Sequence, residues 1–286
     1  MDNHIKIIEC PRDAMQGIPT FIPSELKIKY INQLLKVGFD TIDFGSFVSP
    51  KAIPQMKDTA TVLKGLNLEK SKSKLLAIVA NERGAIDAVS FDEISYIGYP
   101  FSVSETFQKR NTNLSIDKSL TLVEKINTIA KKNDKKLVIY LSMCFGNPYG
   151  EIWNTEIVHH WAHRISSLFG IKIISLSDTI GSATIDSIND LFGNLIPQLA
   201  DIEIGAHLHS TKETAIEKID AAFAAGCRRF DGALKGYGGC PMAKDELVGN
   251  MPTEIIVERL NRNDNCMNID ANELQKSITF SANVFI

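Results

Sequence analysis

The chain of 286 residues carries 31 Lys and Arg against 34 Asp and Glu, for a formal net charge of −3, and 44% of it is hydrophobic. That length suits one α/β barrel, and its scattered basic residues offer no stripe for a phosphate backbone, so small molecules are the expected partners, with no nucleic acid and no membrane. Apolar stretches stop short of the roughly 18 residues that cross a bilayer. Met1-Asp2-Asn3-His4 is expected to lead straight into a strand, so no signal or transit peptide is expected, and Cys10, Cys144, Cys227, Cys240 and Cys266 contain no C-x-x-C pair, as expected of reduced thiols in a cytoplasm.

Strand-like and helix-like periods alternate along the chain. A β-branched run at 5–9 precedes an amphipathic segment at 25–37, with Ser24 as its expected N-cap and Gly38 after it. Strands are expected next at 41–44, 75–79 and 94–97, then a helix at 116–132 capped by Ser115 and a strand at 137–142. Thr155 before 156–169, Gly170, a strand at 171–176 and Thr184 before 185–199 continue the alternation. Strands at 202–207 and 229–232, with Gly226 between them, bring the strand count to eight, which favours closure into a (β/α)8 TIM barrel over an open sheet. No linker or repeat divides the chain, so residues 1–286 read as one barrel domain, with about 252–286 as a C-terminal extension of two helices.

Barrel chemistry gathers at the carboxyl ends of strands. The first expected strand runs into Pro11-Arg12-Asp13, the second contains Asp43, and the sixth leads into Ser177-Asp178-Thr179. The seventh ends in His207-Leu208-His209, two imidazoles that face one side of an extended chain. After the eighth come Gly236-Tyr237-Gly238-Gly239-Cys240-Pro241 and then Asn250. A carboxylate, two imidazoles and an amide oxygen form a mixed N/O set that suits Mg²⁺, Mn²⁺ or Zn²⁺ in an open site. The glycine loop lacks the spacing of a nucleotide-binding motif. His159 and His163, four apart on an outer helix, read as solvated positions.

Pro11-Arg12-Asp13-Ala14-Met15-Gln16, Ser46-Phe47-Val48-Ser49-Pro50-Lys51, Ser175 to Gly181, His207-Leu208-His209 and Gly236 to Pro241 occur in one order, with Ser104-Glu105-x-Phe107, Lys109, Asn111 and Asn113 between. In that order and spacing the chain resembles the 3-hydroxy-3-methylglutaryl-CoA lyase family of metal-dependent TIM-barrel lyases, over roughly residues 5–250. The resemblance implies metal ligation by Asp13, His207, His209 and Asn250, and an acyl-CoA substrate in a homodimer. It also implies that Arg12 lies against a substrate oxygen and that Cys240 is a thiol brought over the site. Arg12, Asp43, Asp178, His207 and Cys240 are thus the catalytic candidates, and Arg12, Gln16, Ser142 and Thr179 the substrate contacts. Lys51, Lys109 and Arg110 are candidate neighbours of coenzyme A phosphates. The chain departs from the family pattern at Asp43, where the family has Glu, at Ser210 for Asp and at Val138 for Arg. The implied reaction is retro-Claisen cleavage to acetoacetate and acetyl-CoA. Alternatives are a related lyase, aldolase or Claisen synthase on another hydroxyacyl-CoA or 2-oxo acid, and a catalytically silent relative that binds metal or acyl-CoA.

Overall fold

The computed structural model describes residues 4–239, 248–261 and 267–285. Its strands are β1 (Lys6–Glu9), β2 (Thr41–Ser46), β3 (Lys74–Ile78), β4 (Ile94–Ser102), β5 (Lys136–Ser142), β6 (Ile173–Ser177) and β7 (Glu203–His207). A two-residue strand β8 (His209–Ser210) follows, then the last barrel strand β9 (Arg229–Gly232) and a short β10 (Gly249–Asn250). β1 to β7 and β9 close into a parallel barrel, β9 returning to β1 with Lys6 opposite Arg229 and Glu9 opposite Gly232. The eight expected strands are the eight barrel strands.

Alternation within each strand builds two environments. Ile42 and Phe44 of β2, Ile174 and Leu176 of β6, and Phe230 of β9 face the helices and join the larger apolar core. Their neighbours face the barrel axis, where Leu76, Tyr96, Val138, Tyr140 and Ile173 form a smaller cluster. Val138, where the resemblance leads one to expect arginine, is part of that apolar interior. The interior cation comes instead from Arg229 on β9, which is 1% exposed. Gly205 on β7 makes room for it, since a Cβ there would lie 2.8 Å from Arg229 Cδ.

The helices are α1 (Pro11–Gln16), α2 (Ser24–Leu34), α3 (Thr59–Lys64), α4 (Glu82–Val89), α5 (Glu105–Thr112), α6 (Ile116–Lys132) and α7 (Thr155–Phe169). They continue with α8 (Ile185–Gln198), α9 (Ala215–Ala224), α10 (Thr253–Leu260) and α11 (Ala271–Ser281). No helix among the described residues is long and apolar enough to cross a membrane. Ser115 and Thr184 cap α6 and α8 as expected, and Gly170 ends α7 in the left-handed region. Two expected caps are displaced. Ser24 lies inside the first turn of α2 behind Pro23; its hydroxyl donates to Asp58 Oδ2 at 2.7 Å and accepts no cap bond from its own helix. Asn154, one residue before Thr155, caps α7 by accepting from Ile157 N.

The two helices of the C-terminal region, α10 and α11, play different parts in the fold. α10 follows β9 and packs on α9 through an Arg259–Asp220 ion pair at 2.7 Å, so it is the eighth helix of the ring. α11 is the added helix, laid against α2 with Phe280 stacked at 6.1 Å on Tyr30.

α10 is tied to β1 through Glu9, which is fully buried and accepts hydrogen bonds from Leu234 N at 3.0 Å and Thr253 Oγ1 at 2.5 Å. Burial raises its carboxyl to about 8, against those two hydrogen bonds. Raising a folded-state acid pKa means that its contribution to stability is complete below the unfolded value of about 4.3 and is lost as pH climbs through the folded one. The unfolding midpoint is therefore expected to fall between pH 5 and 9, whereas Glu9→Gln shows a flatter profile and is the more stable form at pH 9. Thermal unfolding of both across that range checks this; parallel profiles would refute it.

Candidate metal centre and active site

The carboxyl ends of β1 and β7 meet the small β8–β10 sheet at one mouth of the barrel. β8 pairs antiparallel with β10, which sets Asn250 opposite His209. α1 starts directly after β1 with Pro11 in its first turn, where a missing N–H costs nothing. The helical spacing then stacks Arg12, Asp13 and Gln16 on neighbouring positions. One carboxylate oxygen of Asp13 and one ring nitrogen each of His207 and His209 lie within 4.8 Å of one another, all three residues buried. Arg12, Asp13, Gln16, Ser142, Thr179 and both histidines line a cavity of about 670 Å³. A second cavity, about 750 Å³, lies among Lys36, Asp40 and Lys70, near the amino ends of β1 and β2 and away from this cluster.

Arg12 organises the polar side of the mouth. Its Nη1 donates to Asp13 Oδ1 at 2.9 Å and to Gln16 Oε1 at 3.0 Å, while Nε and Nη2 hold Asp43 in a fork. Of the five N–H groups a guanidinium offers, one on Nη2 keeps no partner in this set of contacts. Burial raises the Asp43 carboxyl to about 6 despite the Arg12 charge. For Asp13 burial works in the same direction, but Arg12, His207 and His209 outweigh it and hold its carboxyl below the usual range.

The donor set fits a divalent cation. His209 Nε2 is buried with no hydrogen-bond partner among the described residues, an expensive arrangement for a polar atom unless something binds it. Burial, followed by the His207 charge, lowers the His209 ring to about 4, so it is the neutral imidazole that ligation requires. Asn250 Nδ2 spends its two protons on Asp13 Oδ2 at 2.8 Å and Tyr237 O at 2.9 Å. Its amide oxygen is then the end left to coordinate. Gly238, at φ +92°, permits this approach: a Cβ there would lie 2.7 Å from Ala14 Cα and 2.8 Å from Asn250 Nδ2.

Not every expected residue reaches the mouth. Asp43 is wholly buried behind Arg12 and does not line the cavity. Asp178 is likewise withdrawn: its carboxylate pairs with Lys218 Nζ at 2.8 Å and accepts from Ala183 N at 3.0 Å. Thr179 Oγ1 accepts from Met143 N at 2.9 Å, which pins the β5 and β6 loops together. Cys240 lies outside the described residues. His163 is exposed and His159 half-buried on α7, away from the cluster.

Sequence reasoning missed two residues at the site. Lys218 reads as an ordinary lysine of an amphipathic helix, yet it is 4% exposed. Its ammonium holds Asp178, Gly181 O at 3.2 Å and His209 O at 2.8 Å, which fixes the backbone carrying the second histidine. Asp231 lies inside β9, beneath His207. Its signal was the alternation Arg229-x-Asp231, two charges on one face of a buried strand. Lys218→Met leaves the Asp178 carboxylate buried without its cation, a loss of about 3–5 kcal/mol. Denaturant unfolding checks this, and a loss below about 1 kcal/mol would refute the clamp.

A closed parallel barrel with its polar cluster at the strand ends defines a TIM-barrel enzyme, and the carboxylate and histidine pair form a possible metal-binding group. Within that class the chain belongs to the HMGL-like family, whose model matches residues 4–280. It is 36% identical over 264 residues to the hydroxymethylglutaryl-CoA lyase YngG of Bacillus subtilis, spanning 92% of this chain and 87% of the relative. It is 32% identical to the cytoplasmic 3-hydroxy-3-methylglutaryl-CoA lyase of Rattus norvegicus, over 91% of this chain and 75% of that one. Among solved structures, an HMG-CoA lyase from A. baumannii in complex with coenzyme A and 3-methylmalate superposes with a TM-score of 0.91 at 28% identity. That match covers 100% of this chain and 92% of the other. The B. subtilis HMG-CoA lyase structure gives the same TM-score at 34% identity, covering 98% and 93%.

Proposed function

We propose that this chain is a divalent-metal-dependent carbon–carbon lyase that cleaves 3-hydroxy-3-methylglutaryl-CoA to acetoacetate and acetyl-CoA. The observation that carries the reading is the Asp13–His207–His209 cluster beside Arg12, in a cavity of about 670 Å³. The proton leaves the tertiary hydroxyl, that oxygen becomes the ketone, the adjacent C–C bond breaks, and its electron pair passes into the thioester enolate, whose carbon is then protonated. Mg²⁺ or Mn²⁺, with Zn²⁺ as a further option, held by Asp13, His207, His209 and Asn250, would supply Lewis-acid polarisation of the substrate hydroxyl and its neighbouring oxygen.

The remaining steps belong to the chain's own groups. Arg12 presents its uncommitted Nη2 proton to the enolate oxygen, a fixed positive charge aimed where negative charge develops. Asp43 acts through Arg12, holding the guanidinium plane in place. Gln16, Ser142 and Thr179 border the acyl group. Cys240 is the proposed acid for the enolate carbon, since a free thiol keeps its proton at neutral pH. Arg110 and Asn113 line the same cavity and are the proposed contacts of the coenzyme A end.

Cytoplasmic location is supported by the free thiols Cys10, Cys144 and Cys227 and by the cytoplasmic rat relative. A homodimer is the assembly that the family resemblance implies, and light scattering measures it. Incubation with Mg²⁺ or Mn²⁺ and 3-hydroxy-3-methylglutaryl-CoA should release acetoacetate. Metal-loaded, folded protein that forms none would end the substrate assignment, and a panel of other hydroxyacyl thioesters and 2-oxo acids would then separate the related lyase, aldolase and synthase reactions from a silent binder.

A further inference from the structure

Beneath His207 the barrel interior holds a buried polar chain, Asp231, Ser175, Arg229 and Glu203, to which the reaction above assigns no role. His207 Nδ1 lies 3.2 Å from Asp231 Oδ2, and Ser175 Oγ donates to the same oxygen at 3.3 Å. Arg229 Nε lies 3.9 Å from the other oxygen, while Arg229 Nη1 pairs with Glu203 at 3.1 Å. Glu203 in turn meets Lys6 near the amino end of the barrel. Asp231 and Arg229 are 2% and 1% exposed, and Gly205 is kept bare to admit the arginine.

We propose that Asp231 is the positioning residue of the metal centre: it takes the Nδ1 proton of His207, fixes that tautomer and ring plane, and commits Nε2 to the cation. This rests on the metal-centre reading above and deepens it. A carboxylate can only accept, so the ring nitrogen facing it must carry the proton. Metal-bound histidines commonly hand their second nitrogen to a carboxylate in this way. With one nitrogen on Asp231 and the other on the cation, His207 has none left for proton transfer. His207 is therefore a ligand, and the base of the reaction is another group.

Cys10 Sγ, one ring nitrogen of His207 and an Asp231 oxygen also lie within 4.8 Å of one another, the spacing of a second cation site. The surroundings disfavour one. Burial drives the Cys10 thiol well above its usual range, so the thiolate that a metal needs is suppressed. The Arg229 guanidinium also already supplies positive charge beside Asp231. The strand therefore presents Asp231 to a histidine rather than to a metal.

The test uses the full chain with Asp231→Asn, Asp231→Ala and the double variant Asp231→Ala/Arg229→Met, which leaves no unpaired interior cation if the single variants fold poorly. Mn²⁺ affinity, read by electron paramagnetic resonance without substrate, should weaken about 10–100-fold. Imidazole ¹⁵N shifts of the metal-free protein should show one His207 tautomer, protonated at Nδ1, which becomes a mixture in the folded variants. An unchanged tautomer together with unchanged Mn²⁺ affinity would overturn the proposal. So would a second bound equivalent of Cd²⁺ that Cys10→Ala abolishes, because Asp231 would then be a ligand itself. Wild-type protein that binds no Mn²⁺ would count against the metal centre, while the tautomer measurement still decides the role of Asp231.

Discussion

His209→Leu is expected to fold with an unfolding midpoint equal to or above that of the unmodified chain while losing the metal centre. The two outcomes have one cause. His209 Nε2 is a buried polar atom without a hydrogen-bond partner among the described residues, and leaving such an atom unsatisfied costs about 1–3 kcal/mol. Leucine fills similar space and removes that cost, as happens when a residue kept for function is replaced by one suited to packing. The ligand is lost, however. Loss of a group that supports a ligand already weakens metal binding roughly 10–100-fold, so removing the ligand itself should lower Mn²⁺ affinity by more than about 100-fold. Turnover of the thioester should fall at least as far. Calorimetry together with Mn²⁺ titration separates the alternatives. A His209→Leu protein that is destabilised by several kcal/mol yet still binds Mn²⁺ would show that this histidine serves packing.

Why the second histidine was legible and its support was not follows from chain geometry. His207 and His209 are two residues apart at a strand end, so the sequence alone places them together. Arg12 and Asp13 are legible for a similar reason, standing at the first strand end in a count of eight. Asp231 is 24 positions from His207, and only closure of β9 onto β7 and β1 brings it beneath the ring. Lys218 obeys the period of α9 and is hidden by it. The partner of Asp178 was equally hidden, since Lys218 claims its carboxylate from forty residues away. The displaced cap at Ser24 has the same origin, since Asp58 offers its hydroxyl an acceptor that local sequence does not reveal. Strand periodicity reports local burial, whereas the ion pairs of the barrel interior are long-range facts of closure.

Arg12→Met should produce the largest loss among the residues that do not bind metal. Removing one preorganised donor from a developing oxyanion costs about 10²–10³ in kcat, and a full guanidinium charge is lost with it. Stability falls too, by about 3–5 kcal/mol, because Asp43 is left wholly buried without its cation. The pH dependence has a definite sign. Burial has already raised the Asp43 carboxyl to about 6 beside Arg12, and removing the guanidinium raises it further. The orphaned group is costly only when ionised, so the stability deficit of Arg12→Met is greatest above pH 7 and shrinks as pH falls below 6. In the unmodified chain the same titration predicts an acid limb in kcat/KM near pH 6, where protonation of Asp43 releases the fork that holds Arg12. Arg12→Met/Asp43→Leu isolates the two effects: replacing both partners of a buried pair by apolar groups restores most of the stability, while kcat stays at the level of the single variant. Recovery of turnover in the double variant would show that Arg12 matters to folding alone, and an acid limb that persists in Asp43→Asn would assign that titration to another group.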